Sequence, residues 1–238
     1  MKSQMAGLKF LRFHDLTLEN IRQDCHIHTS WTDGKHSIEE IFEKAEEQKL
    51  ELIALTEHIR KESTYFKDFF READQKRQKR NLRVWIGIET KVMDESGLLD
   101  VTPEDLSLAE IVLGSVHRIP YQGDFVDPLK LGPEKSLEEE FRYSMAMIKA
   151  KGIHVLAHPF GMSLKHHKNF SMQHLEEIIR AIAKTEIAFE WNARYMNEDF
   201  FKAARMFCHK YNPCVSLGSD MHEIKDLGGA CRLLQELF

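Results

Sequence analysis

The sequence predicts a parallel α/β architecture in one domain spanning residues 1–238, and three observations carry that reading. Seven short apolar runs recur along the chain, and segments with helical periodicity lie between them. No repeat, low-complexity tract or linker divides the 238 residues, a length that single barrel domains commonly reach. Almost every apolar run is closed by a histidine, an aspartate or a glutamate, and in parallel barrels functional residues collect at the C-terminal ends of the strands.

The elements follow in order. The first run covers residues 21–25, and the residues before 24 read as an N-terminal extension. Ser37-Ile38-Glu39-Glu40 is a capping box opening a helix to about Lys49, with Ile38, Ile41, Phe42 and Ala45 on one face. A strand at 52–55 precedes a helical pattern at 66–80 and a strand at 84–88. Pro103 and Glu104 start a short helical turn before the strand at 111–113. Ser136-Leu137-Glu138-Glu139 reads as a second capping box, opening a helix that Gly152 can terminate. A strand at 153–156 leads into a loop containing Gly161, then a helix at 172–184 and a strand at 187–191. Asn197 can cap a helix to about Tyr211, which Pro213 stops. The last strand is 215–217 and the last helix 227–238.

An apolar content of 42% suffices for a substantial core, and a net charge of −5 argues against a protein that coats nucleic acid. Cys25, Cys208, Cys214 and Cys231 form no close pair, so reduced thiols are expected. Residues 1–20 mix charges with apolar residues, unlike a signal peptide, and no stretch approaches the roughly 20 apolar residues of a membrane span. A soluble, cytoplasmic protein is the expectation.

The residues closing the runs form a ligand set. His26 and His28 stand two apart, so in a strand both imidazoles face the same side. Asp33-Gly34 offers a carboxylate on a tight turn; taken alone it would be a plain Asp-Gly turn. His58, Glu89, His117 and His158 follow later strands, and Asp220 and His222 repeat the two-apart spacing near the chain's end. A carboxylate such as Glu89 rarely ends an apolar strand without a partner. Each of these residues alone has a bland reading as a satisfied polar side chain; nine of them at one set of strand ends do not. Neutral imidazole and carboxylate are the donors that zinc, manganese and iron accept. The remaining histidines read otherwise: His14, His36, His174 and His209 as surface or packing residues, His154 as a strand residue facing away, His166 and His167 as a solvated loop. The basic run 76–80 reads as a solvated helix face.

With these residues the chain resembles the PHP (polymerase and histidinol phosphatase) phosphoesterases over essentially its whole length after Gln23. The resemblance implies a distorted seven-stranded, TIM-like (β/α)7 barrel with three divalent ions, zinc, manganese or iron, at the C-terminal strand ends. It implies one ion on His26, His28, Glu89 and Asp220, a second on Glu89, His117 and His158, and a third on Asp33, His58 and His222. Some members carry histidine where this chain has Asp33. Asn192 falls where relatives carry a Glu-x-Asn segment beside the substrate; Arg118 and Arg194 are candidates for gripping phosphate, alongside Glu89 and Asp220 as catalytic residues.

Three divalent ions and a bridging hydroxide, set against Asp33, Glu89 and Asp220, leave a local charge of about +2, complementary to a phosphomonoester dianion. A water shared by such ions has its pKa lowered toward neutrality, to about 7 in a favourable zinc site, and becomes a nucleophile. The expected activity is therefore metal-dependent hydrolysis of a small phosphomonoester, with histidinol phosphate as the family's named substrate. An exonuclease or phosphodiesterase acting on nucleic acid or nucleotides is the alternative, although the combined basic and aromatic channel it would need is hinted at only by the segment from Lys76 to Arg83 and Trp85. A metal-dependent amidohydrolase is a further rival, and a scaffold with a degenerate site is disfavoured by the intact set of nine. The leaving-group pocket is expected in the loops 121–134 and 161–173.

Overall fold

The computed structural model describes residues 8–121 and 124–235. In chain order the strands are β1 (Leu11–Arg12), β2 (Gln23–Ile27), β3 (Leu52–His58), β4 (Arg83–Lys91), β5 (Ile111–Ser115), β6 (Ile119–Tyr121), β7 (Asp124–Val126), β8 (Val155–Leu156), β9 (Ala188–Asn192) and β10 (Cys214–Gly218). The helices are α1 (Ile38–Glu47), α2 (Phe66–Arg77), α3 (Pro103–Leu108), α4 (Pro128–Leu131), α5 (Pro133–Ala150), α6 (Gly161–His167), α7 (Met172–Ile182), α8 (Glu198–Tyr211) and α9 (Gly229–Gln235). One sheet runs β1-β10-β9-β8-β5-β4-β3-β2. All its pairs are parallel except β1, which lies antiparallel on β10. At the far edge, Ile27 bridges in parallel to Met221, just past β10, and the His28 N–H donates to the Met221 carbonyl at 2.9 Å.

The seven apolar runs thus become the seven parallel strands, each joined to the next by helical or looped crossovers. Side-chain alternation divides the core in two. Ile53, Leu55, Ile88, Phe189, Trp191 and Leu217 point outward and bury against Ile41, Phe42, Phe69, Ile179 and Phe200 of the helices. Each such side chain contributes about 1.5–3 kcal/mol on burial. The other face gathers Cys25, Ala54, Leu113, Val155, Ala188 and Cys214 into a smaller inner cluster. Small residues suit it because the strands crowd there: a Cβ on Gly87 would lie 2.1 Å from the Ile111 carbonyl oxygen.

Several elements differ from the sequence expectation. Part of the N-terminal extension joins the sheet, where β1 covers the otherwise open edge of β10. The Ser37 capping box forms as expected, and Asn197 caps α8 through the Phe200 N–H. Ser136, by contrast, lies inside α5, because Pro133 starts that helix and the Ser136 hydroxyl donates to the Pro128 carbonyl instead. Lys151, not Gly152, takes the left-handed position that ends α5. His154 precedes β8 rather than lying within a strand, and its Nδ1 accepts the Val112 N–H. The expected loop at 121–134 carries the β6–β7 hairpin and α4, and the one after Gly161 is helix α6, which includes His166 and His167.

Candidate metal centre

Following the inner face toward the C-terminal strand ends replaces apolar side chains by polar ones. Leu52 and Ala54 give way to Thr56 and His58, Gly87 to Glu89, Leu113 to Ser115 and His117, and Cys214 to Ser216, Gly218 and Asp220. Two strands reach the centre by breaking that alternation. Between Asp24 and Ile27 the β2–β3 register shifts, so Cys25 lies in the inner cluster while His26 and His28 face the centre beyond it. After β8, His158 adopts φ 28°, a left-handed backbone that turns its ring inward after the inward-facing Ala157. Asp220 is also left-handed, at φ 50°. Such backbone costs of order 1–3 kcal/mol and is characteristic of functional sites.

Glu89 stands at the middle and is 1% exposed. Its Oε1 lies 2.9 Å from His158 Nε2 and 3.2 Å from His117 Nε2. Its Oε2 lies 3.1 Å from His58 Nδ1, 3.3 Å from His26 Nε2 and 3.4 Å from His28 Nε2. Asp220 Oδ1 approaches His28 Nε2 at 3.3 Å and His222 Nδ1 at 3.4 Å. Asp33, more exposed than the rest, sets its Oδ2 at 3.1 Å from His222 Nε2 and 3.5 Å from His58 Nε2. All nine predicted residues therefore meet in one place. The donor atoms of eight of them fall into overlapping triplets: His26, His28 and Asp220; His26, Glu89 and His158; His58, Glu89 and His117; His28, His58 and His222, with Asp33 beside the last of these. His58 joins two of these neighbourhoods, with Nδ1 toward Glu89 and Nε2 toward Asp33.

This donor set fits divalent cations. The Nε2 atoms of His26 and His28 converge to 3.2 Å, a spacing that two neutral acceptor nitrogens tolerate only with a proton or cation between them. Burial alone would drive His26 and His58 neutral, yet the surrounding carboxylates outweigh it. Glu190 and Glu89 raise His26 well above its ordinary value, and Glu89 and Asp33 lift His58 to about 10. Against its own burial, Glu89 is held well below the usual carboxylate range by the imidazoles around it.

Glu190, Asp24, Glu57 and Tyr195 support the cluster and escaped the sequence reading. Glu190 Oε1 lies 2.7 Å from His26 Nδ1, and its Oε2 accepts the His158 N–H at 2.6 Å. Asp24 accepts the Ser219 and Gly228 N–H groups at 2.9 and 2.8 Å, and burial raises its carboxyl to about 6. Glu57 accepts the Thr29 N–H at 2.8 Å and the Thr32 hydroxyl, fixing the turn that carries Asp33. Gly34 completes that turn, since a Cβ there would lie 2.3 Å from the His28 carbonyl oxygen. Tyr195 packs its ring 5.0 Å from that of His158. A charged residue inside an otherwise apolar strand was the available signal for Glu57 and Glu190.

Over the cluster opens a cleft of about 420 Å³, lined among others by Arg118, Arg194 and Tyr195. Arg194 Nη1 lies 2.7 Å from His222 Nδ1, and Arg118 pairs with Asp127 at 3.6 Å. Asn192 is outside that lining: it is 1% exposed, donates to Glu190 and accepts the Arg194 N–H.

Known proteins resemble this chain throughout. It is 25% identical over 225 residues to a protein named "Probable phosphatase" from Acetivibrio thermocellus, covering 90% of this chain and 86% of that one. It is 24% identical over 220 residues to the DNA polymerase/3'-5' exonuclease PolX of Bacillus subtilis, covering 89% of this chain but only 36% of that longer protein. A solved Listeria monocytogenes structure, provisionally named a histidinol phosphatase, superposes with a TM-score of 0.64 at 17% identity, over 87% of this chain and 97% of its own; it speaks for the fold. The PHP domain model matches residues 24–194, which takes in seven of the nine converging residues, and the chain belongs to the PHP domain family.

Proposed function

We propose that this protein is a metal-dependent phosphatase that hydrolyses a small phosphomonoester. The observation that carries the reading is Glu89, one buried carboxylate within 3.4 Å of five imidazoles at the ends of four strands. In this reading His26, His28, Asp33, His58, Glu89, His117, His158, Asp220 and His222 would hold three divalent ions. The sheet is a distorted barrel that closes where Ile27 meets Met221. Ions held there supply a deprotonated water at neutral pH and neutralise the charge of the phosphoryl group. Arg194, already beside His222 and Asp220, and Arg118, on the opening, bind phosphoryl oxygens and stabilise the charge that builds on them. Asn192 serves this indirectly, by fixing the backbone of Arg194. Glu190 keeps the His26 ring oriented, as a carboxylate behind a ligating histidine does. The four buried free cysteines suit a reducing compartment, the cytoplasm, and no described helix is long and apolar enough to cross a membrane.

The test replaces His26 or Asp220 with alanine and assays an aryl phosphate with manganese, zinc or iron. Activity should fall by more than about 100-fold together with bound metal. Full activity with unchanged metal content would overturn the assignment.

A further inference from the structure

The cleft is walled by cations that the ligand cluster does not use. Arg60 follows β3, Arg118 follows β5, Lys165 lies on α6, and Arg194 follows β9; all line one opening. Beyond Asp33, Glu89 and Asp220, the acid in that lining is Asp127, which pairs with Arg118 at 3.6 Å. Lys91 also lines the cleft, but its Nζ is engaged by Asp100 at 3.3 Å and lies 4.2 Å from the Phe125 ring centre. Arg194 is drawn to the cluster itself. Arg60 and Lys165 differ from these. Both are exposed on the cleft, and neither forms an ion pair with a carboxylate among the described residues. The chain as a whole carries −5, so cations left uncompensated around this opening do not follow from composition.

In the phosphatase reading a single phosphoryl group would have its charge met by the ions and by Arg118 and Arg194. Arg60 and Lys165 are surplus to it, and their long stems let the charged ends reach a bound molecule. Resting on the phosphomonoester reading above, we propose that Arg60 and Lys165 form a subsite for a second anionic group, and that the substrate is a small phosphomonoester whose leaving group carries a carboxylate or a further phosphate. The same field repels a leaving group with an ammonium, such as histidinol phosphate. Binding energy from this non-reacting end of the substrate raises kcat/KM, and because the contacts lie in exposed surroundings it weakens with salt.

The experiment uses the metal-loaded full chain and two short phosphonates with opposite tails, 3-phosphonopropionate and 2-aminoethylphosphonate, with ethylphosphonate as the neutral reference. Calorimetry at low ionic strength should find the carboxylate tail bound about tenfold or more tighter than the ammonium tail, as expected for one favourable and one unfavourable charge contact. In the double variant R60Q/K165Q that ratio should collapse toward one, with ethylphosphonate affected least. Equal affinity for the two tails, or a preference that survives in the double variant, overturns the subsite. A hydrolysis arm comparing 3-phosphoglycerate with 1,3-propanediol bisphosphate decides which second anion is favoured; either supports the proposal if it outpaces phosphoethanolamine, and faster phosphoethanolamine hydrolysis overturns it. The same preparation separates this inference from the one it rests on. Tail preference without hydrolysis of any phosphomonoester sinks the activity and leaves the subsite, whereas hydrolysis without tail preference sinks the subsite alone.

Discussion

Glu190 acts on two members of the cluster from behind, holding His26 through its ring and His158 through its backbone. Replacing it with glutamine keeps the shape but sets an amide, which donates, against one of two groups that need an acceptor. Metal affinity in Glu190→Gln should fall about 10–100-fold, measured as metal retained through dialysis against a competing chelator. Unchanged retention would mean that Glu190 only fills space. Gly218→Ala should give a similar loss from the other side, because a Cβ there would lie 2.2 Å from Glu190 Oε1 and 2.7 Å from the His26 Cβ. At this scale the sequence was informative about ligands and poor about their supports. A histidine after an apolar run announces itself, whereas Glu190 and Asn192 share a face of β9 and only packing decides what each of them supports. The sequence reading chose Asn192 for the substrate; the structure commits it to Glu190 and to the Arg194 backbone.

The strands were legible because apolar runs of β-forming residues are a local signal, and the seven runs became the seven parallel strands. Helix α6 was not legible. Its sequence has little apolar period, and its first turn is held by a residue far away: the buried Glu140 of α5 accepts the Ser163 N–H at 2.9 Å. The shift at β2 and the left-handed turn at His158 were equally hidden, since strict alternation would send His26 and His158 to the wrong face. Glu140 also makes this pair of helices sensitive to pH. Burial raises its carboxyl from 4.5 to about 8, so the folded chain keeps a proton that the unfolded chain has released. Its contribution to stability is complete below about pH 4.5 and is lost as pH rises through about 8. Glu140→Gln should therefore flatten the decline of Tm between pH 5 and 9 and exceed the parent at the alkaline end. Parallel curves for the two proteins would refute this.

For the molecule as a whole, the sheet gathers side chains from six strand ends into one cluster that includes Glu89 and Asp220, and much of the charge gathered there is buried. Cations that bind the folded chain alone should stabilise it, by about 2.7 kcal/mol at a concentration 100 times Kd. Removing them with a chelator should lower Tm, and titrating manganese or zinc back should restore it in step with concentration. A Tm indifferent to chelation would count against a metal centre at this place. The parallel α/β class and the convergence of the nine residues could be read from the chain because both rest on a repeated pattern. The added edge strand β1 and the hairpin β6–β7 could not, since each depends on what the neighbouring backbone leaves unpaired.

The contact between β2 and the end of β10 has a consequence in time. Asp24 accepts the Ser219 N–H across 195 positions of sequence, and Ile27 waits for Met221 to complete its pairing. A chain emerging from the ribosome exposes His26 and His28 well before Asp220 and His222, which join them only after the intervening residues have been made. The cluster therefore cannot form before the last of the seven parallel strands has been made, and a product truncated ahead of β10 carries its early histidines without the residues that would close the cage around an ion.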